Sequence, residues 1–159
     1  MISHQFDRME LGQRFGERAT LSDWHFATAT ALFYDAGPNH VDPEHAANNR
    51  FGGMIAPGFL TAGVMMGVVG RHFGWCVEAF LESHVKFVAP VFMCETIDVL
   101  WEVSDLQSKA AFAGGIVTLH GWCWAGKPER LAVDMEAKLA INNANPPPLH
   151  AAPQHQPKE

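Results

Sequence analysis

The segment FGGMIAPGFLTAGVMMGVVG, residues 51–70, carries no charged side chain, and that limits the folds open to the whole chain. So apolar a stretch must leave water, either in a bilayer or inside a domain. Pro57 and Gly58 decide between the two, because they cut the run into a short lead and a helix too short to cross ~30 Å of hydrocarbon. The helix is expected to open at Gly58, to end near residues 72–74, and to lie buried in a soluble domain. Its glycines and alanines let neighbours approach closely. Of the 159 residues, 48% are hydrophobic, which is enough for one such core without disulfides or metal staples.

The rest of the chain supplies the cover. In the first half, residues 10–20 read as a strand or extended lead-in. Ser22 is a candidate N-cap, with Asp23 in the first turn, for the helix DWHFATATALFY. That helix must stop near Tyr34, since Gly37 and Pro38 follow. A short acidic helix begins around Pro43 and runs through EHAANN, and FGGMIAPG reads as a loop.

The second half changes period. CVEAFLESHVKFVAPVF, ETIDVLWEVSD, KAAFAGGIVTLHGWCWAG and ERLAVDMEAKLAINN are rich in Val, Ile, Phe and Trp. His120, Trp122 and Trp124 share one face of a strand, while Leu119, Gly121 and Cys123 share the other. Breaks at Ser104–Asp105 and Gly126–Lys127–Pro128 predict consecutive hairpins. Helices followed by strands predict an α+β fold with an antiparallel sheet. One domain is expected over residues 1–142, followed by a polar, Pro-rich and disordered tail over 143–159.

The formal net charge of −6, from 17 acidic and 11 basic residues, argues against nucleic acid as a partner. Three widely spaced cysteines, Cys76, Cys94 and Cys123, read as buried thiols of a reducing compartment, with neither a disulfide nor a zinc site. MISHQFDRMELGQRF has no apolar core and does not read as a signal peptide. The expected location is cytoplasmic, with no membrane partner.

Two elements carry candidate chemistry. Asp35 and His40 flank Gly37 and Pro38, so a turn can aim a carboxylate and an imidazole at one water. The competing reading makes Asp35 a cap for local backbone and leaves His40 exposed. Pro57–Gly58 opens the apolar helix, where free N–H groups and the helix dipole offer a site for a developing oxyanion. Its competing reading is a mere helix start. His40, Asp42 and His45 also spell H-x-D-x-x-H, but Asp42 is better read as the cap of the short helix. No metal and no cofactor is called for. His25, His72, His84 and His120 are scattered and read as surface or satisfied core.

The run from Asp35 to Gly58, D-x-x-P-x-H-x-D followed by an apolar loop and I-A-P-G, resembles the hydratase signature of the MaoC-like dehydratases, which include the (R)-specific enoyl-CoA hydratases. VKFVAPVFMCETIDVLWEV, with its F-x-x-P-V segment, is similar to that family's strand pair, and residues 112–141 to its final strands. The resemblance covers residues 10–142. It implies a hot-dog fold, a sheet wrapped around the helix at residues 58–72, and protomers paired as a homodimer or larger. It also implies an acyl-CoA or acyl-carrier thioester as the ligand. Asp35 and His40 would hold the water added to or removed from the α,β double bond, and the Gly58 N–H would bind the thioester oxygen. The family pattern has Asn where this chain has Gly37, Gly where it has Tyr34, and His where it has Pro57. A thioesterase on the same fold, or a non-catalytic acyl-thioester binding protein, are the alternatives. Arg50, Arg71 and Lys86 are candidate partners for CoA phosphates, with solvated surface charge as the competing reading for all three. Met65, Met66, Phe59 and Leu60 are candidates for an acyl tunnel, with plain core as the competing reading.

Overall fold

The computed structural model describes residues 5–144, so the expected tail lies outside the described residues from position 145. In chain order the elements are β1 (Arg14–Thr20), α1 (Asp23–Phe33), α2 (Pro38–Val41), α3 (Pro43–Asn48), α4 (Gly58–Phe73), β2 (Val77–Phe87), β3 (Thr96–Lys109), β4 (Gly114–Ala125) and β5 (Arg130–Asn142). The five strands form one antiparallel sheet in the order β1-β3-β4-β5-β2. The arrangement is the α+β one expected, with α4 against one face of the sheet.

Local chemistry sets the helix ends. At the start of α1 the Ser22 N–H donates to His25 Nδ1 at 3.1 Å. At its end Tyr34 adopts the left-handed conformation, φ 55, and the N–H groups of Tyr34 and Asp35 both donate to the Thr30 carbonyl. A non-glycine residue there costs roughly 1–2 kcal/mol, and it turns the chain sharply just before Asp35. In α4 the buried residues Thr61, Ala62, Met65, Val68, Val69 and Phe73 recur at helical spacing. The helix is therefore buried along a stripe and not all round. Gly63 and Gly70 face outward, where a residue without a side chain has no apolar surface to hide.

Sheet and helix meet at Trp101. Gly121 stands opposite it in the β3–β4 register, and a Cβ on Gly121 would fall 2.5 Å from the indole. The missing side chain opens a slot through which Trp101 Nε1–H reaches the Met65 carbonyl, 3.0 Å away in the middle of α4. Trp101 is fully buried, and removing that much ring from water contributes about 4–6 kcal/mol.

Three expectations are corrected. Ser104–Asp105 does not end a strand: the register shifts between Val103 and Asp105 as a bulge, and β3 continues to Lys109. β2 and β3 are not a hydrogen-bonded pair, since β2 lies at the sheet edge against β5. After Phe87 the chain crosses the end of the sheet instead of turning back. The N–H groups of Val88 and Ala89 both donate to the Ala132 carbonyl, and Val91 and Met93 bond to Ala56 and Met54. Finally, Cys94 is exposed, while Cys76 and Cys123 are buried. Burial pushes the Cys123 thiol up to about 12, which keeps it protonated. No helix among the described residues is long and apolar enough to cross a membrane.

Candidate active site

Asp35 follows the sharp turn that ends α1, and His40 sits on α2. A turn was expected here, with no helix between Tyr34 and Pro43. Instead Pro38 occupies the first helical position, where its missing N–H costs nothing, and the His40 N–H donates to the Gly37 carbonyl at 2.8 Å. The imidazole is held from behind, with Nδ1 2.8 Å from the Ile55 carbonyl oxygen. A carbonyl only accepts, so Nδ1 carries a hydrogen, and in the neutral ring that leaves Nε2 to present its lone pair. Nε2 lies 3.7 Å from Asp35 Oδ2, and the side chains of His40 and Asp35 are 15% and 49% exposed. The imidazole is thus inside and the carboxylate at the mouth. That separation is too long for a direct hydrogen bond, yet one water ~2.8 Å from each could bridge them.

Among the described residues, no backbone N–H donates to the Asp35 carboxylate, so its reading as a local cap is not what forms. Gly37 leaves one side of the pair open: a Cβ there would lie 3.4 Å from both Asp35 Oδ1 and His40 Cδ2. Tyr34 adds no bulk, its ring being 95% exposed.

His40 and Gly58 line one cavity of ≈ 340 Å³, together with Ile55, Ala56, Thr61 and the wall from Phe87 to Val91. This is the size class of small-molecule sites. Gly58 is the first residue of α4, so its N–H has no partner within the helix. No acceptor among the described residues takes it. The Phe87 ring covers Gly58 so closely that a Cβ would come within 2.9 Å of it, and Phe59 meets that ring edge-on. Backbone donor and imidazole therefore line one mostly apolar pocket, with the Asp35 carboxylate beside the imidazole, an arrangement suited to moving a proton and holding a developing negative charge.

The pocket wall has a support that sequence reading did not single out. Arg130 Nη2 donates to Glu95 Oε2 at 2.6 Å and to the Pro90 carbonyl at 2.8 Å. Glu95 Oε2 also accepts the Phe92 N–H at 2.8 Å, and Phe92 pairs with Ile55, the residue whose carbonyl holds His40. Both side chains of this ion pair are mostly covered. Removing the guanidinium leaves a covered carboxylate and the carbonyls of Pro90 and Ala125 short of a donor, at a cost of about 2 kcal/mol. Arg130→Met is expected to lower the melting temperature by roughly 5 °C. Arg130→Lys should lose less, and thermal unfolding followed by circular dichroism checks both.

The remaining candidates separate cleanly. Asp42 Oδ1 accepts the His45 N–H at 3.0 Å as the cap of α3. Among the described residues no group of three or more His, Cys, Asp or Glu side chains is placed to hold a metal ion. Arg71 is bound to Glu17, whose carboxyl it holds below the usual range. Met65 is plain core, while Phe59 and Leu60 line a second cavity beside α1. Trp122 and Trp124 stack on the outer sheet face with His120, which meets Asp134 at 3.0 Å. Sequence reading missed the Ile55 carbonyl, Thr61, Phe87 and the Arg130–Glu95 pair. Only Phe87 had a signal, as the first residue of F-x-x-P-V.

A family model described as "MaoC like domain" matches residues 17–121. The chain is 28% identical over 142 residues to an (R)-specific enoyl-CoA hydratase of Rhodospirillum rubrum, covering 89% of this chain and 94% of that one. It is 32% identical over 101 residues to a 3-hydroxybutyryl-CoA dehydratase of Methylorubrum extorquens, covering 64% of each. In three dimensions it resembles the unliganded (R)-hydratase of Pseudomonas aeruginosa with a TM-score of 0.77. That match covers 92% of this chain and 96% of the other at 20% identity, which speaks for the hot-dog fold alone.

Proposed function

The chain belongs to the MaoC-like domain family, and from that premise and the site's geometry we propose that it adds water to, or removes it from, the α,β double bond of an acyl-CoA thioester. The observation that carries the reading is the Asp35–His40 pair, 3.7 Å apart, beside the cavity that His40 shares with the free Gly58 amide. A water held by the pair donates one hydrogen bond to Oδ2 and one to Nε2, leaving its oxygen lone pair directed at the substrate β-carbon. As the C–O bond forms, one member of the pair takes the proton and the π electrons move onto the thioester oxygen. The Gly58 N–H, at the positive end of α4, stabilises that charge. Return of that proton from the pair to the α-carbon, as the electrons move back from the thioester oxygen, completes the addition of H and OH. Both side chains are left as they began, and dehydration runs the same steps backward.

The test is direct. Purified protein mixed with a trans-2-enoyl-CoA near neutral pH, without added metal, should erase the absorbance of the conjugated thioester and release no thiol. Release of free CoA instead would support hydrolysis on the same scaffold.

The active form in this reading is a homodimer built on β2. The two sheet edges differ. β1 is short and studded with Arg14, Glu17 and Arg18, a protected edge. β2 runs eleven residues and is exposed nearly throughout, with Phe80, Leu81, Phe87 and Val88 each 45–57% accessible around its outer side. Unpaired backbone groups beside that much apolar surface favour a second copy of the strand. Sedimentation at micromolar concentration is expected to return twice the chain mass, with Leu81→Arg returning the single mass.

A further inference from the structure

A pantetheine thioester, whether on CoA or on a carrier protein, carries at least one phosphate beyond its reacting end. In a chain with 17 acidic residues against 11 basic, that phosphate must find a local cation. Arg14, Arg18, Arg71, Arg130 and Lys138 each face a carboxylate at 2.5–3.0 Å. Lys86 neighbours Phe87 along β2. With Phe87 on the cavity, Lys86 leaves from the opposite sheet face, level with Asp134. Arg50 differs from all of them. It is exposed, it lines the same cavity as His40 and Gly58, and among the described residues no carboxylate pairs with it. Its guanidinium carbon lies 4.6 Å from the centre of the Phe51 ring, and Phe51 lines the cavity too. Stacking on a ring fixes the guanidinium plane while its N–H edge stays free for an anion.

We infer that Arg50 binds the phosphate of a phosphopantetheine-bearing thioester at the rim of the cavity. The inference rests on the proposed hydratase reading, and it selects one of three candidate cations. A planar, always-charged donor fork suits phosphate oxygens, and a rim position lets the arm stay in solvent while the thioester enters the cavity.

The experiment compares wild type, Arg50→Gln and Arg50→Lys on crotonyl-CoA and on crotonyl-pantetheine, the same thioester without phosphate. Arg50→Gln should raise KM for crotonyl-CoA about tenfold with little change in kcat, as expected for a lost hydrogen bond to a charged group. Crotonyl-pantetheine should show no difference, and Arg50→Lys should recover part of the loss. A matching rise on a crotonyl carrier protein assigns the contact to the phosphate that CoA and carrier share. A rise on CoA alone assigns it to the phosphates only CoA has. Equal effects on the CoA and pantetheine thioesters, or none on either, would overturn the inference. Calorimetric titration with free CoA gives the same answer without turnover: about tenfold weaker binding to Arg50→Gln is expected, and equal affinity overturns it. Failure of the hydratase reading shows elsewhere, as unchanged rates in Asp35 and His40 variants.

Discussion

Asp35→Asn is expected to slow hydration of a trans-2-enoyl-CoA by about 10²–10⁴-fold, the range lost when a positioned acid–base group is removed. The amide keeps the volume and one acceptor oxygen but takes no proton at neutral pH. The carboxylate is half exposed and makes no backbone contact that the fold depends on, so the stability change should stay within about 0.5 kcal/mol. His40→Ala is expected to lose activity on the same scale, with a larger structural cost. It strips the donor from the Ile55 carbonyl and leaves a covered acceptor unmet, worth about 1–3 kcal/mol. His40→Gln separates the two effects: its amide can donate to Ile55 but offers no imidazole to the water. It should regain stability and not rate. KM should change little in all three variants, because the lost interaction belongs to the transition state.

Gly58→Pro is expected to lower kcat by about 10²–10³-fold, the scale of one lost oxyanion donor. Proline suits a first helical position, so α4 should still form while its first N–H is gone. The complication is Phe87, whose ring would stand 2.9–3.2 Å from any Cβ at this site. Phe87 lies on β2, the edge strand of the proposed dimer contact, so the ring must shift within that contact to make room. Gly58→Ala controls for it: alanine displaces the ring and keeps the N–H. The alanine variant should therefore show the smaller loss, expressed mainly in KM, and the further fall from alanine to proline measures the amide. Equal kcat values for the two would mean that the Gly58 N–H holds nothing in the transition state.

The parts of this fold that were legible in the sequence are those set by neighbouring residues. The start of α4 at Gly58 follows from Pro57–Gly58 before an uncharged run, and the caps at Ser22 and Asp42 follow from short polar side chains just before helices. Inward and outward faces of β4 follow from strict alternation through Leu119 to Cys123. What was misread depends on contacts distant along the chain. Gly37–Pro38 reads locally as a breaker, yet here it opens the one-turn helix that fixes His40. Ser104–Asp105 has turn composition, but pairing with β4 carries the strand through it as a bulge. The edge position of β2 is set by its partner β5, some fifty residues later. Arg130 and Glu95, 35 positions apart, look like ordinary surface charges until the loop between Phe87 and Thr96 brings them behind the pocket wall. In the candidate site, Asp35, His40 and Gly58 were legible as a pattern. The Ile55 carbonyl that sets the tautomer was not, because a backbone acceptor leaves no mark in a sequence.

The central claim is that one carboxylate and one imidazole act on the same water. A double-mutant cycle on kcat/KM for a trans-2-enoyl-CoA tests it most directly, using Asp35→Asn, His40→Gln and the two combined. Groups that share a water fail together, so the double variant should be about as slow as the slower single one. Losses that multiply in the double variant would mean that the two side chains act independently, and would contradict the account.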